Sequence, residues 1–197
     1  MSGSARPPES DASRPEGDAP LDHAAIAARV PHAGRMCLLD TVISWDEQRI
    51  ECTAVGHSPA PHPLAQDGRL PATAAIEYAA QAMALHGRLV QEQAAADAAP
   101  ARGFLAGLRS VRLHRRWIGP EAPRLTVRVT RFAGDDVQVL YDFEVVADAP
   151  IAAGRAVVVL DASTRAASRA APATAARPGP RAATAGVSSA PATDPQR

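Results

Sequence analysis

Glu77 lies in the run AATAAIEYAAQAMALHG, whose other members are almost all small or apolar. Desolvating a carboxylate on such a helix is costly. Glu77 is therefore either a residue stabilised by the dipole near a helix N-terminus or a residue that does chemistry, and composition leaves these two readings even. Gln81, four residues on, falls on the same helical face and within reach of a hydrogen bond to Glu77. The loop upstream supplies two histidines, His57 and His62. A His and a Glu facing one substrate suit proton abstraction beside a carbonyl and proton delivery to a leaving hydroxyl. Elimination of water from a 3-hydroxyacyl thioester needs such a pair. The helix start adds free backbone N–H groups at Ala72–Ala74, aimed where negative charge would develop on the thioester oxygen. The other titratable groups read as structural. Asp40 and Asp46 flank a hairpin as turn or cap residues, His86 is a packing or polar contact, and His32 and His114 have no evident partner. The chain has no GxSxG, GxGxxG, P-loop or HExxH motif, so nothing in it supports a hydrolase elbow, a nucleotide site or a zincin site.

The elements that must position these residues follow from periodicity and punctuation. Leu21–Val30 reads as a short helix with Asp22 near its start. Met36–Trp45 is apolar and β-prone. Arg49–Val55 alternates charged and apolar residues, and the turn Asp46-Glu47-Gln48 joins the two runs as a hairpin. The proline-rich stretch Gly56–Pro71 is a loop. Ala72–Ala96 contains no proline and is dense in Ala, Leu, Met, Glu and Gln, so it is one long helix. Its apolar character on nearly every side through Ala84 marks it as buried. Four strands follow, at Gly103–Arg115, Arg124–Phe132, Val137–Ala147 and Ile151–Leu160, with a hairpin turn at Ala133–Asp136. An antiparallel sheet wrapped around one central helix is the economical packing of this order, an α+β hot-dog architecture.

Bulk composition bounds the rest. The 197 residues suffice for one ordinary domain. Residues 1–20 and 163–197 are too poor in large apolar side chains to offset their ordering entropy, so both are expected to be disordered around a domain at 21–162. The tail carries Arg165, Arg169, Arg177, Arg181 and Arg197 against Asp194 and reads as solvated. Net charge is zero, which gives no indication of nucleic acid or an anionic membrane. Cys37 and Cys52 read as small buried hydrophobes and have no metal-ligand spacing around them. No apolar run approaches the roughly 20 residues needed to span a bilayer, and the N-terminus has no apolar signal core, so a cytoplasmic location is expected.

Three ordered segments carry a resemblance: PHAGRMCLLDTV (31–42), Gly56-His57-Ser58-Pro59, and LPATAAIEYAAQ (70–81) with its Glu six residues after the Pro. Together they resemble the FabZ/FabA-like 3-hydroxyacyl-ACP dehydratases. PHAGRMCLLD, DGRLPA and IEYAAQAMALHG are similar to the ApeP-type branch of aryl polyene pathways. The resemblance implies His57 and Glu77 as the catalytic pair, drawn from different subunits of a homodimer or of a heterodimer with a related dehydratase. It also implies Ala72 as backbone donor to the thioester carbonyl. The substrate would arrive on the phosphopantetheine of an acyl carrier protein, with no metal or soluble cofactor. The expected reaction is dehydration of a 3-hydroxyacyl-ACP to a trans-2-enoyl-ACP. It would take place in an apolar tunnel between protomers, lined by Gly103–Arg115 and by Ala75, Ile76 and Ala79. Gln81 and His62 are candidate substrate contacts, and His62 remains a rival to His57. Alternatives on the same fold are a hot-dog thioesterase and a non-catalytic helper subunit of a dehydratase heterodimer. The cluster Arg109, Arg112, Arg115 and Arg116 is a candidate landing patch for an acidic carrier.

Overall fold

The helix expected after the proline-rich loop forms as α2, Ala74–Ala94. It is the one long helix of a computed structural model that describes residues 20–56, 62–94, 103–135 and 137–161. The proposed disordered segments lie outside these residues, apart from Pro20. The elements before α2 are α1 (His23–Ala27), a 3-10 turn (Gly34–Met36), and strands β1 (Thr41–Trp45), β2 (Arg49–Ala54) and β3 (Leu70–Pro71). After it come β4 (Gly103–Leu113), β5 (Trp117–Ile118), β6 (Leu125–Gly134), β7 (Gln138–Val146) and β8 (Pro150–Leu160). Asp22 caps α1, its side chain accepting from the Ala25 amide at 2.9 Å.

Six strands make one antiparallel sheet in the order β1-β2-β6-β7-β8-β4. The middle strands β6 and β7 alternate buried and outward residues, the period-2 signature of a sheet with one face on a core. The buried set, Leu125, Val127 and Val129 on β6 with Tyr141, Phe143 and Val145 on β7, packs with Ala75, Ala79, Ala82 and Leu85 of α2. The alanines let the helix approach the sheet closely. Each fully buried leucine, Leu85 among them, contributes about 2 kcal/mol by area removed from water. This is the hot-dog arrangement expected from the element order.

Two local features differ from expectation. The first hairpin strand begins at Thr41 rather than Met36, because 34–36 close a 3-10 turn and the Met36 carbonyl and Leu38 amide bond to Gln81 of α2. In addition, β3 and β5 pair as a separate two-stranded ladder, Leu70↔Ile118 and Pro71↔Trp117. It clips the entry of α2 to the chain after β4.

The two edges of the large sheet differ. At one edge, Val42 of β1 is bridged by Leu21. At the other, β4 pairs among the described residues on one side only, with β8, and is exposed along most of its length. Phe104, Leu105, Leu108 and Leu113 are all more than a third exposed there.

Candidate active site at the start of the central helix

Glu77 sits in the first turn of α2, where the dipole favours a negative charge. Its side chain is 33% exposed, so this carboxylate borders the core and also reaches solvent. Gln81, one turn on, is fully buried. Its Nε2 donates to Glu77 Oε1 at 3.1 Å and to the Met36 carbonyl at 2.8 Å, and its Oε1 accepts from the Leu38 amide at 2.9 Å. The expected Glu77–Gln81 contact is therefore present. Gln81 was expected as a substrate contact; in the structure its buried amide ties the 36–38 segment to α2.

His32, which had no evident partner in the sequence, comes to Glu77: its Nε2 lies 3.2 Å from Glu77 Oε1. Its Nδ1 is buried and meets no hydrogen-bond partner among the described residues. It belongs to the PHAGRMCLLDTV segment that carries the family resemblance, but its spacing from Glu77 gives no sign that the two meet. It reaches the carboxylate because Gln81 pins the chain a few residues downstream against the helix.

Gly56, two residues past the end of β2, has φ +69°, a conformation glycine adopts readily. His57 itself lies outside the described residues. His62 is brought to Tyr78 rather than to Glu77. Its Nε2 is 3.0 Å from the Tyr78 hydroxyl, and its Nδ1 accepts from the Leu64 amide at 3.1 Å. Burial and, to a smaller degree, the nearby Asp40 carboxylate push the Tyr78 phenol well above its ordinary value. A cavity of about 400 Å³ opens on this side of the helix, lined among others by Arg35, Cys37, Asp40, Gly56, His62 and Tyr78.

Ala72 needs a correction as the thioester donor. Its N–H already donates to the Arg116 carbonyl at 3.0 Å, alongside the β3–β5 ladder. The next two amides, Thr73 and Ala74, meet no acceptor among the described residues and are the N–H groups left free at the helix start. The expected tunnel lining also changes. Ala75 and Ala79 are fully buried core residues, whereas Ile76 is only partly buried.

The arginine cluster is divided. Arg115 is paired with Glu121 at 3.4 Å and Asp148 at 3.3 Å. Arg116 and Arg69 instead flank the Trp117 ring, their guanidinium carbons 5.4 and 5.2 Å from its centroid. Both are exposed and lie beside the entry to α2.

His86, further along α2, is fully buried with both ring nitrogens engaged, by the Tyr141 hydroxyl at 3.2 Å and the Asp46 carbonyl at 2.9 Å. It is the packing and polar contact expected. Asp46 caps its turn through the Gln48 and Arg49 amides. Both cysteines are buried and unpaired, and burial pushes the Cys52 thiol up to about 12. Among the described residues no His, Cys, Asp and Glu cluster could hold a metal ion, and no helix is long and apolar enough to cross a membrane.

Comparison with known proteins adds the following. In solved structures, the chain is similar to the dehydratase heterocomplex ApeI:P from Xenorhabdus doucetiae, with 22% identity, 73% of this chain and 95% of that chain covered, and a TM-score of 0.59. It is more distantly similar to a thioesterase family protein from Silicibacter pomeroyi (14% identity, 60% and 82% covered, TM-score 0.46). The PaaI protein of E. coli is at a like distance (17% identity, 60% and 80% covered, TM-score 0.41). No curated protein sequence matches the chain. The ApeP-like family, described as ApeP dehydratase, matches residues 24–168, a span holding the whole helix, its entry loop and all of the sheet, and the chain belongs to that dehydratase family.

Proposed function

We propose that this protein dehydrates a 3-hydroxyacyl thioester, carried on the phosphopantetheine of an acyl carrier protein, to the trans-2-enoyl thioester. The observation that carries the reading is Glu77, a carboxylate one-third exposed in the first turn of a helix whose core face is buried, in a chain of the ApeP-like dehydratase family. Glu77 and His57 divide the two proton transfers between them, one removing the proton next to the thioester carbonyl and the other protonating the departing hydroxyl. The free amides of Thr73 and Ala74 face the developing enolate oxygen. No metal or soluble cofactor takes part, and the pathway is cytoplasmic and makes a fatty-acid-like or aryl polyene chain.

The proposed assembly is a dimer through β4. An edge strand with no partner on its outer side among the described residues, and with four exposed apolar side chains, is a template for another strand. A related dehydratase is the favoured partner, by analogy with the ApeI:P heterocomplex. For the carrier, the landing surface is moved from Arg115, which is already paired, to the Arg69–Trp117–Arg116 platform beside the helix entry.

The test is turnover of a 3-hydroxyacyl carrier protein by the purified chain, alone and co-expressed with a related dehydratase. An enoyl product that disappears with Glu77→Gln supports the reading. Release of free acid would make the protein a thioesterase. A partner that works equally well with wild-type and Glu77→Gln chains would make it a helper subunit.

A further inference from the structure

Glu77 offers two carboxylate oxygens, and the protein treats them differently. Oε1 has the Gln81 amide at 3.1 Å and the His32 ring nitrogen at 3.2 Å. Oε2 meets no donor among the described residues. A carboxylate held at one oxygen by two groups from different directions loses its freedom to rotate, and the lone pairs of the other oxygen are then aimed. One of the two groups, Gln81, comes from the helix itself. The other comes from the chain ahead of the 3-10 turn, which Gln81 also anchors through Met36 and Leu38.

His32 is suited to be the adjustable half of this clamp. Its side chain is 30% exposed, close to the 33% of Glu77, so the pair sits where a substrate can reach it. With the carboxylate ionised, the hydrogen between them must be carried on Nε2. Nδ1 is buried and without a partner among the described residues, so no hydrogen bond there competes with Glu77 for the ring. The 3.2 Å approach is a close polar contact rather than an aligned hydrogen bond, and catalytic contacts of this kind tighten when substrate binds.

We infer that His32 is a positioning residue for Glu77, holding Oε1 together with Gln81 so that Oε2 faces the reacting proton. The inference rests on Glu77 being the reacting carboxylate. It assigns His32 no proton transfer of its own.

The experiment compares wild type, His32→Ala, His32→Gln and Glu77→Gln in the partnered, full-length protein. The readouts are kcat and KM with a 3-hydroxyacyl carrier protein, thermal midpoints, and the imidazole nitrogen NMR signals of the resting protein. Misplacing a reacting group by about an ångström costs roughly 100-fold. His32→Ala is therefore expected to lower kcat roughly 10- to 100-fold, with KM and the thermal midpoint nearly unchanged. His32→Gln keeps an N–H donor at a similar reach and is expected to recover most of that loss. The His32 Nε2 signal is expected to move in Glu77→Gln. A wild-type kcat in His32→Ala would overturn the inference. So would a His32→Gln variant as slow as His32→Ala, which would make the ring a proton carrier. So would a His32 signal indifferent to Glu77→Gln. Glu77→Gln turning over like wild type would instead remove the catalytic reading of Glu77, a separate failure that the NMR signal still distinguishes from a missing contact.

Discussion

The start and the middle of the central helix carry polar groups of opposite design. In the middle, His86 is fully buried, and each of its nitrogens has a partner, one on β7 and one at the β1–β2 turn. At the start, Glu77 and His32 are about one-third exposed, one carboxylate oxygen and one ring nitrogen are without protein partners among the described residues, and two helix amides are free. A buried group with every hydrogen bond made holds a structure together. A half-open group with bonding capacity in reserve can accept a substrate. The difference separates stability from chemistry on a single helix, and it can be broken or sharpened by experiment.

The largest effect is expected for Glu77→Gln, which keeps the shape and the Gln81 contact but removes the charge. Turnover should fall at least ~100-fold, with a thermal midpoint close to wild type. His57→Ala should match that loss, whereas His62→Ala should stay within about fivefold, since His62 is bonded to Tyr78 and Leu64. Steady-state kinetics on the three variants orders them.

His86→Ala should do the reverse. It leaves a cavity and removes the ring from the Tyr141 hydroxyl and the Asp46 carbonyl, a loss of about 3 kcal/mol. Denaturant unfolding reads that loss directly, and the fraction still folded should keep turnover within a few-fold. Gln81→Leu falls between the two cases. It strands the Leu38 amide and the Met36 carbonyl at about 2 kcal/mol, and it also loosens Glu77, so both stability and kcat should drop.

The smallest effect is one of pH. Burial depresses the pKa of His86 below its ordinary 6.5, against the opposing pull of the Asp46 carbonyl. As pH falls below 6.5 the unfolded chain takes up a proton there that the folded chain refuses, so stability is present above that pH and declines below it. Unfolding free energies measured from pH 7.5 down to 5.5 should show that slope, and His86→Gln should flatten it.

How far the sequence reveals this contrast depends on what each residue needs. The helix is legible because a proline-free, Ala-rich run has no better conformation available, and β6 and β7 are legible because alternation is a local property. The two-residue ladder of Leu70–Pro71 with Trp117–Ile118 is too short to have a period, yet it takes up the Ala72 amide that had been expected to face substrate. Glu77 and Gln81 could be paired from spacing alone. His32 could not, since it lies 45 residues from Glu77 and meets it only after Gln81 has fixed the chain in between. The split of the arginine cluster was hidden for the same reason, because Asp148 reaches Arg115 only once the sheet has formed.

The most direct measurement is a crystal structure of the partnered protein bound to a pantetheine-linked 3-hydroxyacyl analogue that cannot eliminate water. The expected result has Glu77 Oε2 and a ring nitrogen of His57 on either side of the substrate, each at about 3 Å from the atom whose proton it moves. An acyl chain seated instead in the cavity beside His62 and Tyr78, with Glu77 out of hydrogen-bond reach, would contradict it.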